Sequence, residues 1–176
     1  MALRDILIEG DPRLRQKAKK VSRIDDSLRR LAADMYETML EAPGVGLAAP
    51  QVGILLRLIT VDVPEDYDEE GDPHYSLTLL NPEVVKATGT QIEPAEGCLS
   101  IPNWIGTVPR AQRILVKARD LDFKEVKFWA EGFLARAIQH EIDHLDGILF
   151  TDRVVDKSTL RYLTPEEQER GTAEVA

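Results

Sequence analysis

Between Asp25 and Glu41 the apolar residues Leu28, Leu31, Ala32, Met35 and Met39 recur at helical spacing and form one stripe. Asp25 is a suitable N-cap for this helix, and Pro43-Gly44 ends it. A second helical stretch runs from Gly132 to Asp146, with Gly147 placed to terminate it. Between the two helices the pattern shortens to that of strands. Leu58 to Val63, Tyr75 to Leu80, Glu83 to Ile92, Ile114 to Ala118 and Val126 to Ala130 are each predicted as one strand, with turn residues between them. Gly10-Asp11-Pro12 marks a turn near the start. The acidic stretch 65–73 has nothing to bury and reads as a surface loop. Thr164-Pro165-Glu166-Glu167 reads as a helix start, with a capping hydroxyl, Pro at the first position and a carboxylate three residues on. Strands in the middle with helices gathered on one face predict a single α+β domain, in which small antiparallel or mixed sheets pack around a central helix.

Composition narrows the field. A chain of 176 residues, 43% hydrophobic and 30% charged, can bury one core. Its formal net charge of -9 argues against a protein that binds nucleic acid through its phosphates. The basic residues between Arg13 and Arg23 read as solvated surface. With one cysteine there is no internal disulfide. The first residues lack the apolar run of a signal peptide, and no apolar stretch is long enough to span a membrane. The expectation is a soluble, cytoplasmic protein without a membrane or nucleic-acid partner.

Three segments carry chemistry. In His140-Glu141-Ile142-Asp143-His144 the four-residue spacing turns a helix through about 400°, so both imidazoles lie on one face, one turn apart. That spacing lets both grip one metal ion, with Glu141 beside them as a base. Two histidines underfill a metal site, and Cys98 in Glu96-Gly97-Cys98-Leu99-Ser100 can supply the third ligand as thiolate. Taken alone, Cys98 also reads as a small buried hydrophobe or a catalytic thiol. In Gly44-Val45-Gly46-Leu47-Ala48-Ala49-Pro50-Gln51 the two glycines suit a backbone that comes close to a ligand. The absence of a Lys-Ser/Thr pair excludes a phosphate loop.

Taken together, Gly44 to Gln51, Glu96 to Ser100 and Gln139 to Gly147 resemble the three signature motifs of peptide deformylases, in the same order. Gly10 to Arg15 resembles that family's opening, and the likeness runs from about Ile6 to Val155. The resemblance implies a catalytic domain over residues 1–155, followed by a polar tail, 156–176, that carries a short helix. It implies hydrolysis of the formyl group from N-formylmethionyl peptides. Cys98, His140 and His144 would then hold Fe(II), a donor set that suits zinc equally, with nickel or cobalt as substitutes. Glu141 would act as general base and then acid. The Gln51 amide and the Leu99 N–H would donate to the oxygen of the tetrahedral intermediate.

Val45, Phe133 and Ala137 are candidates for the methionine slot, because the last two share a helical face with His140. Arg136 lies inside that turn and could narrow the slot. The backbone of Gly44 and Gly46 can pair with an extended peptide. Arg110 can pair with Glu96, and Trp104 can line the entrance. The tail sets Lys157, Arg161 and Arg170 against five carboxylates, so it gives no support for docking on the ribosome. A zincin-type metallopeptidase and a non-enzymatic metal-binding module remain as alternatives. Against the zincin pattern, Phe150 stands where a third His would be needed, and the downstream Glu166, Glu167 and Glu169 sit in a polar segment.

Overall fold

The computed structural model describes residues 2–64 and 74–170. The stretch 65–73, read above as a surface loop, lies outside them, as does the end of the tail.

Helix α1 (Asp26–Glu41) begins where expected, with the Asp25 carboxylate accepting from the Leu28 N–H at 2.9 Å. The predicted stripe is its buried face. The following elements are β1 (Gly46–Ala48), β2 (Leu58–Pro64), β3 (His74–Thr88), β4 (Glu96–Cys98), β5 (Ile101–Gly106), β6 (Arg113–Arg119) and β7 (Glu125–Glu131). After these come α2 (Gly132–Leu145), α3 (Phe150–Arg153), β8 (Arg161–Tyr162) and α4 (Pro165–Arg170). Five strands form one sheet in the order β1-β2-β3-β6-β7, and β4-β5-β8 form a second. Every strand pairing in both sheets is antiparallel, so the mixed alternative is not realised.

The two strands expected over Tyr75–Leu80 and Glu83–Ile92 are one, β3. Pro82 has no N–H to donate, and the ladder with β6 slips in register between Leu80 and Glu83 rather than stopping. The strand ends at Thr88, short of Ile92, and Gly89 turns the chain with φ of 69°. Beyond it only Gln91 keeps a bridge, to Arg110.

Helix α2 lies between the sheets. Leu134, Ala135, Ala137, Ile138 and Leu145 join Ile59, Val61, Ile114 and Val116 of the larger sheet in one core cluster. Each large apolar side chain buried there contributes about 1.5–3 kcal/mol, which anchors the helix firmly. On the side of the smaller sheet, α2 meets β4 through Arg136, His140 and His144. Gly147 ends the helix in the left-handed region at φ 73° and donates its N–H to the His144 carbonyl. The expected last helix is α4, with Thr164 and Glu167 capping each other's backbone N–H. No helix among the described residues is long and apolar enough to cross a membrane.

Candidate metal centre

Cys98, His140 and His144 converge, with all three donor atoms within 4.8 Å of one another and all three residues buried. Cys98 Sγ lies 3.4 Å from His144 Nε2, and the two Nε2 atoms lie 3.2 Å apart. Donors bound tetrahedrally to one zinc-sized ion stand about 3.4 Å (N to N) and about 3.6 Å (S to N) apart. One thiolate and two imidazoles at this spacing therefore fit a divalent metal. The rest of the zincin arrangement is absent among the described residues. Phe150 stacks on the His140 ring at 6.3 Å between centroids. Glu166 and Glu169 are exposed on α4, and Glu167 is paired with Arg161.

Glu96 holds His140. Its Oε1 lies 2.5 Å from His140 Nδ1, which leaves Nε2 for the ligand group. Arg110 forks onto the same carboxylate at 2.5 and 3.1 Å, and Arg136 reaches it at 2.7 Å. The expected Arg110–Glu96 pair is therefore present and buried. Such a pair adds little net stability, whereas removing one partner costs about 3–5 kcal/mol, so it serves chiefly to fix geometry. Burial pushes the Glu96 carboxyl up, but His140 and Arg110 outweigh it and hold the group well below the usual carboxylate range. Arg136 is engaged at Glu96 and two carbonyls, those of Val108 and Gln91, because its buried guanidinium needs acceptors.

Glu141 is fully buried, and neither carboxylate oxygen has a hydrogen-bond partner among the described residues. Burial pushes its pKa up to about 7. Gly46 lies against this carboxylate, so a Cβ there would collide with it. Gln51 is buried too. The Ala48 N–H donates to its Oε1 at 2.9 Å, and its amide nitrogen points at Cys98 Sγ (3.7 Å) and Ser100 Oγ (3.1 Å). Leu99 begins the two-residue turn between β4 and β5, beside Cys98.

Val45, Phe133 and Ala137 share one apolar cluster, with Ala137 fully buried inside it. Two clefts are lined by candidate residues. One of about 290 Å³ opens at Cys98 and Leu99 and is walled by Ile6, Pro43, Trp104 and Leu163. The other, about 700 Å³, is lined by Phe133 with Tyr75, Leu77 and Phe128. Trp104 thus lines a mouth at the site. Ile6 and Leu163 were not among the sequence candidates, because nothing in their local pattern ties them to Cys98.

The comparisons with known proteins agree with one another. A family model described as polypeptide deformylase matches residues 3–159. The chain is 57% identical to the peptide deformylase of Thermomicrobium roseum over 176 residues, which is 100% of this chain and 98% of that protein. The crystal structure of a peptide deformylase from Legionella pneumophila is similar at TM-score 0.78 and 42% identity, covering 96% of this chain and 90% of that one. A Met-Ala-Ser-bound class I type b peptide deformylase from Acinetobacter baumannii is similar at TM-score 0.80 and 37% identity, over 87% of this chain and 99% of that one.

Proposed function

The chain belongs to the peptide deformylase family, and on that premise we propose how its own residues divide the work. The reaction is hydrolysis of the formyl amide at the N-terminal formylmethionine of new polypeptides, with release of formate. The observation that carries the division of labour is the Cys98–His140–His144 group with the unpartnered Glu141 carboxylate in the same buried site.

Cys98, His140 and His144 would hold the metal, Fe(II) by family resemblance, with zinc, nickel or cobalt as substitutes. When bound, such an ion polarises the formyl carbonyl and lowers the pKa of water. Glu141 takes a proton from the water that attacks the formyl carbon and passes it to the departing amine. Burial, with Glu96 and Asp143 nearby, pushes its pKa up to about 7 against the opposing pull of His140 and Arg110, and a neighbouring cation would favour the ionised form, which is the form a base requires. The Gln51 amide, fixed through its Oε1, and the Leu99 N–H donate to the oxygen of the tetrahedral intermediate. One such donor contributes about 3–4 kcal/mol of barrier lowering.

The methionine side chain occupies a slot formed by Val45, Phe133 and Ala137. The peptide backbone pairs with Gly44 and Gly46, because β1 ends the strand order and has no second strand partner among the described residues. A tripeptide beginning with Met is bound in the Acinetobacter relative, which supports a Met-first peptide as the ligand. Residues 1–155 form the catalytic domain and 156–176 the tail, from which β8 reaches back to pair with β5. The setting is the cytoplasm.

Two variants test the roles side by side. Glu141→Gln keeps the shape but removes the basic site, so it should retain its metal while turnover falls by about 10²–10⁴-fold. Cys98→Ser should lose the metal itself, because a hydroxyl stays protonated where the thiolate did not. An active Glu141→Gln enzyme, or one that has lost its ion, would contradict the assignment.

A further inference from the structure

We propose that Arg136 is a positioning residue of the metal centre, acting through Glu96 to keep His140 and the Cys98 strand in ligating register. The inference rests on the metal reading above.

Arg136 and His140 are four residues apart on α2, so their side chains lie one turn apart on the same face. The Glu96 carboxylate spans both. Its Oε2 accepts from Arg136 Nη1 at 2.7 Å, and its Oε1 meets His140 Nδ1 at 2.5 Å. Glu96 begins β4, and Cys98 is two residues further along the same short strand. The single carboxylate therefore ties the helix that carries both histidines to the strand that carries the third ligand.

Charge balance does not require this second guanidinium. Glu96 and Asp143 are already matched by Arg110, which bonds both, and by Arg153, which bonds Asp143. Burying a further cation carries a desolvation cost, and Arg136 is only 1% exposed. What Arg136 adds is direction. Arg110 approaches from the segment before β6 and fixes the plane of the carboxylate with its fork. Arg136 approaches from the histidine helix itself, with the same nitrogen held by the Val108 carbonyl at 2.9 Å. His144 makes the contrast plain, since its Nδ1 has no hydrogen-bond partner among the described residues. Orientation of the imidazole pair therefore depends on the His140 side.

The test uses the whole protein and reads metal affinity rather than turnover. Arg136→Met keeps the stem and removes the guanidinium, while Arg136→Lys keeps a charge but cannot reproduce the fork. Zinc affinity is measured by chelator competition at fixed pH, together with the visible spectrum of the cobalt-loaded protein and the thermal midpoint with and without metal. Arg136→Met should bind zinc about 10- to 100-fold more weakly, with a shifted cobalt spectrum and a smaller rise in midpoint on loading. Arg136→Lys should fall between Met and the wild type. Wild-type affinity and an unchanged spectrum, with only the metal-free midpoint lowered, would make Arg136 a structural tie and overturn the proposal. If Arg136→Met does not fold, Arg136→Lys decides, and wild-type affinity in that variant overturns the proposal. Failure of the underlying metal reading looks different: wild type and Cys98→Ser would then hold equal amounts of metal.

Discussion

A side chain on Gly46 would run into the Glu141 carboxylate, and a Cβ on Gly44 would come within 2.7 Å of Leu99 Cδ1. Each glycine of the first motif therefore makes room for one site residue brought in from elsewhere in the chain. Gly46→Ala should displace Glu141, and small misplacements of a reacting group cost about 100-fold in rate. Formate release should fall by about that factor, with the thermal midpoint moving only a few degrees. Wild-type turnover in this variant would show that Glu141 tolerates the shift. The sequence did announce a close backbone approach at these glycines, through their spacing. It could not say what approaches, because Glu141 and Leu99 arrive through tertiary contacts. Arg136 shows the same limit. Helical spacing put it on the slot-forming turn, but a buried guanidinium goes where the acceptors are, and those belong to β4 and the loops.

At the scale of elements, long periodic stretches were readable and short ones were not. The α1 stripe and the α2 boundaries follow from spacing and caps. β1, β4 and β8 are three residues or fewer, too short for any alternation, and their pairing depends on neighbours distant in sequence. β5 contains Pro102 and Gly106, which locally signal a turn. The end of α2 matters most for the site, since His144 lies in its last turn. Gly147 adopts φ 73°, and a Cβ there would stand 2.5 Å from the Arg15 carbonyl oxygen. Gly147→Ala should therefore destabilise the protein by about 2 kcal/mol or more, from left-handed strain plus the backbone clash. Urea denaturation checks this, and a loss under about 0.5 kcal/mol would mean that the turn relaxes freely.

For the molecule as a whole, acids paired away from the metal centre act together on stability. Arg13 holds Asp11 down to about 2, and Arg161 with the Thr164 N–H holds Glu167 down to about 2. The Ala2 N–H and Arg4 lower Asp34 as well. Each folded value lies below the ordinary one, 3.8 for Asp and 4.5 for Glu. Their contribution is thus fully present above about pH 5 and is lost as pH falls through the folded values. Single surface pairs contribute little, so the expected result is a gradual fall in urea midpoint between about pH 5 and about pH 2. A midpoint that holds or rises across that range would contradict it.

The function itself belongs to the same scale, because the site exists only where α2 brings the two sheets together. Sequence order placed the three motifs along the chain, and the fold joins them at one buried group. The most direct measurement is formate release by the purified, metal-loaded protein from formyl-Met-Ala-Ser, run beside casein. Formate should appear in step with free Met-Ala-Ser, and casein should stay whole. Cleavage of casein without formate would contradict deformylation and make the chain a peptidase.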